Sequence, residues 1–177
     1  MKKFLLMLAV GATLYACKDE KKQEAGDGGT ETKKEVALPY TPLYSASFEI
    51  GNPEYAAMIL QGSWKDWEEN KLDNMKSWIA DTIVAFHSDN SMVKGADSLM
   101  AGWKRERAKY SSSLDSIHAV IPVRSKDKNE DWVLVWAKAI DTRLDGKKDT
   151  IEIMETWRIN KDGKADMLLQ YDRHARK

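Results

Sequence analysis

The 177-residue sequence contains one cysteine and only three histidines. A single cysteine cannot form an internal disulfide, and the histidines lack the close spacing of metal ligands, so we expect no metal site and no cofactor. The 28 basic residues are balanced by 28 acidic ones, which argues against a nucleic-acid-binding surface. At 20.2 kDa the chain is long enough for one folded domain and too short for two.

The longest apolar run, over residues 4–16, is too short to cross a bilayer. Two lysines precede it, which is typical of a signal peptide. The run ends in Leu14-Tyr15-Ala16-Cys17, which resembles the bacterial lipobox, where cleavage occurs just before a lipid-modified cysteine. The resemblance implies that residues 1–16 are a signal peptide and that Cys17 carries a lipid that anchors the protein to a membrane. An ordinary signal peptide with an incidental cysteine is the alternative.

Residues 17–36 are predicted to be the lipidated cysteine and a disordered tether. From Lys18 to Glu35 there is no aromatic residue and no Ile, Leu or Val, so the segment cannot bury enough apolar surface to offset its ordering entropy. Lys18-Asp19-Glu20 resembles a signal that some Gram-negative bacteria use to export lipoproteins to the outer surface. We therefore expect a lipid-anchored protein of the Gram-negative cell envelope, in the outer membrane.

Residues 37–51 contain two prolines among aromatic and aliphatic side chains. This composition favours an extended segment that packs on the domain, because proline interrupts a helix. The domain itself is predicted over residues 52–177, with a helical first half and a β second half. Asn52-Pro53-Glu54 is typical of a helix start. Apolar residues then recur at helical spacing on one face, at Ala56, Leu60, Trp64 and Trp67.

Two later segments also have helical patterns, near residues 73–78 and from Gly95 to about Tyr110, and a short strand is expected over 82–87. The second half reads as a β-meander. Its runs over 132–142 and 150–160 are separated by Leu144-Asp145-Gly146-Lys147, and Asp-Gly is typical of a two-residue hairpin turn.

A turn centred on Asp145-Gly146 pairs Lys138 with Ile153 and predicts one apolar face that includes Trp132, Leu134, Trp136 and Trp157. The next turn, at Gly163, is expected to be a three-residue loop that pairs Arg158 with Asp166. It places Met167, Leu169 and Tyr171 on the same face.

The predicted apolar face carries two charged residues, Lys138 and Glu155, as diagonal neighbours. Charged groups on such a face usually pair or line a cavity, because an isolated buried charge is costly. The candidate pocket residues are Lys138, Glu155, Tyr171, Trp136, Trp157, Trp64 and Phe86.

The order of elements, with a hairpin around Asp89-Asn90, resembles the SnoaL-like branch of the nuclear transport factor 2-like superfamily. The segments that carry this resemblance are Trp78-Ile79-Ala80-Asp81, Thr82 to Phe86, Gly95-Ala96-Asp97, Asp162-Gly163-Lys164 and Tyr171-Asp172. It implies an α+β, cone-shaped roll, with three N-terminal helices packed on a curved antiparallel sheet around a pocket. Members include isomerases, dehydratases, cyclases and non-catalytic binding modules.

The ketosteroid isomerases of this superfamily use an Asp base and a Tyr, and the corresponding positions here are Phe86 and a site near Trp64, so that activity is not implied. A dehydratase-like arrangement needs His87 or His118 in the cavity. The apolar alternation from Ile117 to Val123 places His118 outward.

Two functions remain open. The first is binding of a small apolar ligand or a protein partner in the cone pocket. The alternative is a cofactor-free lyase or isomerase that uses Glu155 and Lys138 as acid–base residues, with His87 and His118 as further catalytic candidates. We also consider a homodimer that forms through the sheet.

Overall fold

The computed structural model describes residues 38–174, and the chain divides into two units at Pro39. All the elements below belong to the second unit. Cys17, the predicted signal peptide and the 18–35 tether lie outside the described residues. Within residues 38–174, no helix is both long enough and apolar enough to cross a membrane.

The helices form one layer of the domain. Helix α1 spans Pro53–Ile59, and the Asn52 side chain caps it by accepting the amide of Glu54 at 2.9 Å, as the sequence predicts. The chain continues through a wider π-helical segment into α2. The remaining helical bounds are Leu60–Lys65 for the π segment, Asp66–Glu68 for α2, Leu72–Asn74 for a 3-10 turn, Met75–Trp78 for α3 and Ala96–Arg107 for α4.

Seven strands form a single sheet in the order β1-β4-β5-β6-β7-β2-β3. Their bounds are β1 Phe48–Ile50, β2 Ile79–Phe86, β3 Met92–Lys94, β4 Tyr110–Ser125, β5 Glu130–Arg143, β6 Lys148–Ile159 and β7 Ala165–His174. The predicted α+β class is confirmed, and so is the β2–β3 hairpin. The sheet is mixed rather than wholly antiparallel, because β2, which comes from the helical half, runs parallel to the last strand.

The register of β5 and β6 differs by one residue from the sequence prediction. The Arg143 amide donates to the Lys147 carbonyl and the Gly146 amide to the Arg143 carbonyl, at 2.8 and 2.9 Å. The turn therefore has a three-residue loop, in which Gly146 adopts the left-handed conformation with φ +83°. A two-residue turn was the wrong prediction, since Asp-Gly also suits this longer loop, which needs glycine at its last position.

This shift turns every β5 side chain to the opposite face. Lys138 lies opposite Glu152, and Glu155 lies opposite Val135. The inner face of β5 therefore carries small or medium side chains, whereas the larger Trp136 lies on the outer face. The inner residues are Val133, Val135, Ala137, Ala139 and Asp141, all of them buried.

Strand β7 also departs from the prediction. Arg158 and Asp166 do form the expected ion pair, with Nε and Oδ1 2.8 Å apart. A bulge next to this pair changes the register, so that Leu168 lies opposite Trp157. Leu168 is therefore fully buried, and Tyr171, 58 % exposed, lies on the outer face. The neighbours of Leu168, Met167 and Leu169, also leave the inner face.

A second bulge interrupts β4 between Ile117 and Ala119. Beyond it Val120 lies opposite Val135, and Ala119 lies opposite Trp136. The continuous alternation expected from Ile117 to Val123 is therefore wrong, because a bulge sets two residues against one. His118, half exposed beside Glu152, does point outward as predicted.

The segment before β1 contains several bends rather than the predicted extended run, and its apolar side chains pack only in part. Tyr40 and Leu43 are exposed. Tyr44 packs edge-on against Trp132, with ring centroids 6.0 Å apart, and β1 pairs with the end of β4. Ser45 and Ser47 also donate to Asp127 Oδ1, at 2.5 and 2.8 Å, so the segment is held by polar contacts with the β4–β5 turn as well as by the pairing of β1.

Trp157 lies at the centre of the core and is fully buried. Its ring packs edge-to-face with Trp78 and Trp103, at centroid distances of 5.3 and 6.1 Å. The π-helical segment approaches this cluster closely, because a Cβ on Gly62 would lie 2.3 Å from the Trp78 ring nitrogen. Glycine is required there to let the first helix lie directly on the indole.

Candidate functional site

A cavity of about 440 Å³ lies between the inner face of the sheet and the helices. Aromatic side chains from the first helical segments, α4 and β4 form part of its wall, and these are Trp64, Trp67, Trp103 and Tyr110. The small side chain of Ala139 lines the opposite sheet surface. The cavity therefore exists partly because β5 turns its smaller residues inward.

Acidic side chains dominate the polar part of this wall. Three of them lie deep, on the adjacent strands β4, β5 and β6, and these are Asp115, Asp141 and Glu155. The other three lie among exposed residues at the rim, and these are Asp89, Glu106 and Asp172. Two histidines, His87 and His174, also line the cavity. No lysine or arginine does so in the part of the chain that the structure describes.

Glu155 is 3 % exposed and accepts three hydrogen bonds. Ser63 Oγ and Trp157 Nε1 donate to its Oε2 at 3.2 and 2.9 Å, and Gln170 Nε2 donates to its Oε1 at 3.1 Å. Burial raises the pKa of Glu155, and these three donors oppose that shift by stabilising the ionised form. The π-helical segment is what turns Ser63 toward the carboxyl group.

His87 is connected to Glu155 through Gln170. Because the amide nitrogen of Gln170 donates to Glu155, its oxygen faces His87 Nδ1, 3.2 Å away. In the tautomer with a proton on Nδ1, His87 donates this bond. The three side chains thus form a continuous polar chain from the cavity wall to the buried carboxyl group.

Asp141 has its own donor. Ser113 Oγ donates to Asp141 Oδ1 at 2.5 Å and accepts a hydrogen bond from Trp67 Nε1 at 3.1 Å. Asp141 is 4 % exposed, and burial raises its pKa, opposed by the serine hydrogen bond and by the charge of Arg107. This carboxyl group is therefore satisfied by the protein itself.

Asp115 differs from both. Its two carboxyl oxygens are buried, and neither has a hydrogen-bond partner within residues 38–174. Burial raises the pKa of Asp115 to about 7, and the charges of Asp141, Glu68 and Glu155 act in the same direction. The indole N–H of Trp64, a wall residue 5 % exposed, also has no hydrogen-bond partner among the described residues.

The positive charge of Arg107 lowers the pKa of Asp115 and Asp141, but its hydrogen bonds are made to backbone carbonyl oxygens. Its guanidinium donates to the carbonyl oxygens of Trp67, Glu68 and Tyr110 at 2.8, 3.2 and 2.9 Å. Because it is buried and each of its three guanidinium nitrogens donates to a backbone carbonyl, it holds the end of α2 against the start of β4. Its charge lowers the pKa of Asp115 only in part.

The structure brings together only some of the residues selected from the sequence. Glu155, Trp64 and His87 line the cavity, and Trp157 lies buried directly behind Glu155. Lys138 instead pairs with Glu152, 3.2 Å away, on the outer face. The predicted Lys138–Glu155 neighbourhood is wrong, since it depended on the two-residue turn.

Four further candidates also lie away from the cavity. Trp136, His118 and Tyr171 line a separate groove on the outer face of the sheet. Phe86 is 40 % exposed, because Ile83 and Ala85 take the inward positions of β2.

Sequence reasoning missed Asp115, Asp141 and Ser63. Ser113 and Asp115 point to the same face of β4, and Asp141 lies opposite Ser113 on β5. This pattern indicates a shared polar site only once the strand pairing is known.

The sheet and cavity define a protein of the nuclear transport factor 2-like, cystatin-like α+β fold. No protein-family model and no curated protein matches the sequence. Among solved structures, the chain is similar to an LEH-like epoxide hydrolase of Mycobacterium tuberculosis, at 12% identity over 68% of this chain and 84% of that one, with a TM-score of 0.54.

A second M. tuberculosis protein, solved in complex with estradiol-17β-hemisuccinate, is 16% identical over 66% of this chain and 92% of that one, with a TM-score of 0.54. A protein assigned as a SnoaL-like polyketide cyclase from Jannaschia sp. is 12% identical over 68% and 83%, with a TM-score of 0.55. These likenesses establish the fold.

Proposed function

We propose that this domain binds a small organic molecule in its inner cavity. The observation that carries the proposal is a 440 Å³ cavity, walled by aromatic side chains, with convergent polar groups at its base. Ligand sites in proteins have this size and this combination of apolar walls with few polar groups. The structural neighbour solved with estradiol-17β-hemisuccinate supports the use of such a cavity for ligand binding.

Binding is favoured over the alternative of a cofactor-free lyase or isomerase. That alternative paired Glu155 with Lys138, and Lys138 lies on the outer face beside Glu152. Glu155 is already occupied by three donors. Asp115 has a pKa suited to proton transfer, but no side chain of residues 38–174 donates to its carboxyl group, whereas a general base is normally held in place by a hydrogen bond.

We further propose that the domain is held at the envelope of a Gram-negative bacterium, in the outer membrane, by a lipid on Cys17. The supporting features are the apolar run that ends at this cysteine and the charged, aromatic-free segment that follows it. In this arrangement the segment over 18–35 would let the domain stand clear of the membrane and sample small molecules near it.

We also propose that two copies pair through the outer face of the sheet. Half-buried Trp136 and Met154 and exposed Tyr171 line the groove there. A Trp136→Glu variant should be monomeric in light scattering under conditions where the wild-type domain is dimeric. A monomeric wild-type domain at all concentrations would contradict the pairing.

The binding proposal can be tested with three rigid compounds of one size, 1-adamantanol, 1-adamantylamine and 1-adamantanecarboxylate. Binding is measured by tryptophan fluorescence and by the rise in thermal unfolding temperature. An Ala139→Phe variant fills the cavity, and Ala119→Phe makes the same change on the outer face. We expect binding that the first variant abolishes and the second retains. Binding of no member of the set to the wild-type domain would contradict the proposal.

A further inference from the structure

The wall of the cavity has an uneven charge distribution that its overall role as a binding site does not explain. Six carboxyl groups line it, three of them deep, without a lysine or arginine among the wall residues of the described chain. The chain as a whole is balanced, with 28 residues of each sign. The wall therefore has an excess of acidic over basic side chains that the chain as a whole does not have.

Among the deep acids, Asp115 alone lacks a hydrogen-bond partner in the described part of the chain. Glu155 accepts from three side chains and Asp141 from Ser113. Both oxygens of Asp115 are buried, and no donor of residues 38–174 bonds them. Leaving a buried carboxyl group without a hydrogen bond is costly. A ligand with an N–H donor near Asp115 would therefore be stabilised by the hydrogen bond that it donates.

The walls near Asp115 suit the rest of such a ligand. Trp67 and Tyr110 lie in the same wall as Asp115 and Asp141, and aromatic faces attract a cation in addition to burying an apolar body. A divalent metal ion is not favoured as the occupant, since within residues 38–174 no group of three potential ligands has the geometry to hold one.

We infer that the ligand is an organic cation, a protonated amine on a compact apolar body, and that its ammonium group donates to the carboxyl oxygens of Asp115. The inference rests on the proposed binding function and specifies the class of ligand. The ammonium group supplies the missing donors and neutralises the excess negative charge. The apolar body lies against the aromatic wall.

Other charged groups set how strong this preference is. Asp141, Glu155 and Glu68 add negative potential at Asp115, and Arg107 opposes it. Arg107 does not take the place of the ligand, because its hydrogen bonds go to three backbone carbonyl oxygens and none within residues 38–174 goes to Asp115. The net effect at Asp115 is attraction for a cation and repulsion of an anion.

The experiment compares 1-adamantylamine, 1-adamantanol and 1-adamantanecarboxylate, which share one apolar cage and differ in charge. Titrations use the wild-type domain, Asp115→Asn and Glu152→Gln. The last variant removes a carboxyl group from the outer face of the same sheet and serves as the matched control. Asp115→Asn keeps the size of the side chain, and its fold is checked by the near-ultraviolet spectrum of the tryptophans.

We expect the amine to bind wild type at least about tenfold more tightly than the alcohol, and the carboxylate to bind least. Asp115→Asn should lose that preference while it keeps alcohol binding, and Glu152→Gln should behave as wild type. Equal affinity for alcohol and amine, or an unchanged preference in Asp115→Asn, would overturn the inference and leave the binding function intact. If none of the three compounds binds, the proposed function falls with it.

Discussion

Replacing Asp115 by Asn should change the pH dependence of stability in a defined way. Burial and the neighbouring acids raise the pKa of Asp115 from 3.8 to about 7 in the folded domain. Between these two values the folded state holds a proton that the unfolded state has released. Stability must therefore fall as the pH rises through this range, because the slope follows the difference in bound protons.

The size of the effect follows from the same shift. Three pKa units correspond to about 4 kcal/mol, and because Asp115 as a whole residue is only partly buried, solvent screening reduces this to about 2–4 kcal/mol. Wild type and Asp115→Asn should have similar stability near pH 4, where the carboxyl group is neutral. Above about pH 7 the variant should be more stable by the full amount, since Asn carries no charge to bury.

Urea unfolding followed by tryptophan fluorescence, at intervals between about pH 4 and pH 8, measures both free energies. Asp141 and Glu155 also have raised pKa values, so wild type and variant share their contribution and the difference curve reports mainly Asp115. Glu152→Gln, on the outer face, should show no such difference. A gap between wild type and Asp115→Asn that does not vary with pH would refute the reasoning.

Gly62→Ala should destabilise the domain by about 1–3 kcal/mol in thermal unfolding, because the new Cβ would lie 2.3 Å from the buried indole nitrogen of Trp78. Gly102→Ala, whose new Cβ would have its nearest atom 3.8 Å away, should instead stabilise α4 by about 0.5–1 kcal/mol. Equal effects of the two variants would contradict the close packing at Gly62. Glu155→Leu leaves three donors unpaired and should lower the free energy of unfolding by at least about 2 kcal/mol. Lys138→Met should lower it by less than about 1 kcal/mol. In urea unfolding, the loss in the double variant should be the sum of the two single losses. Coupling between the two positions would contradict the observed register. Cys17→Ala should yield soluble or unprocessed protein on membrane fractionation and mass analysis, and an unchanged mass and membrane fraction would exclude lipidation.

Local features of the chain were predictable because they depend on neighbouring residues. The Asn52-Pro53-Glu54 helix start, the β2–β3 hairpin and the Arg158–Asp166 ion pair appear as expected, although the cross-strand backbone partner of Arg158 is Met167 rather than Asp166. Each rests on turn or capping chemistry within a few residues. The α+β class was likewise recognisable from the order of helical and β-rich segments.

The faces of the long strands were not predictable in the same way. Large apolar residues were assumed to point inward, but Trp136 lies on the outer face and Ala137 and Ala139 lie inside. Apolar residues occupy both faces of β5, so hydrophobicity alone does not select the register. One extra residue in the Gly146 loop reverses the whole strand.

The candidate site depends on this reversal. Glu155 and Trp157 were assigned to the interior from the sequence, and the structure places them there. Asp115 and Asp141 come together with them only because bulges and turns set three neighbouring strands in one particular register. By itself, then, the sequence determined the helix start and the β2–β3 hairpin, which follow from short-range backbone preferences, and the fold class, which follows from the order of helical and β-rich segments. Only the tertiary structure decided which carboxyl groups share a cavity, because side chains on separate strands meet through pairing that a single residue can shift.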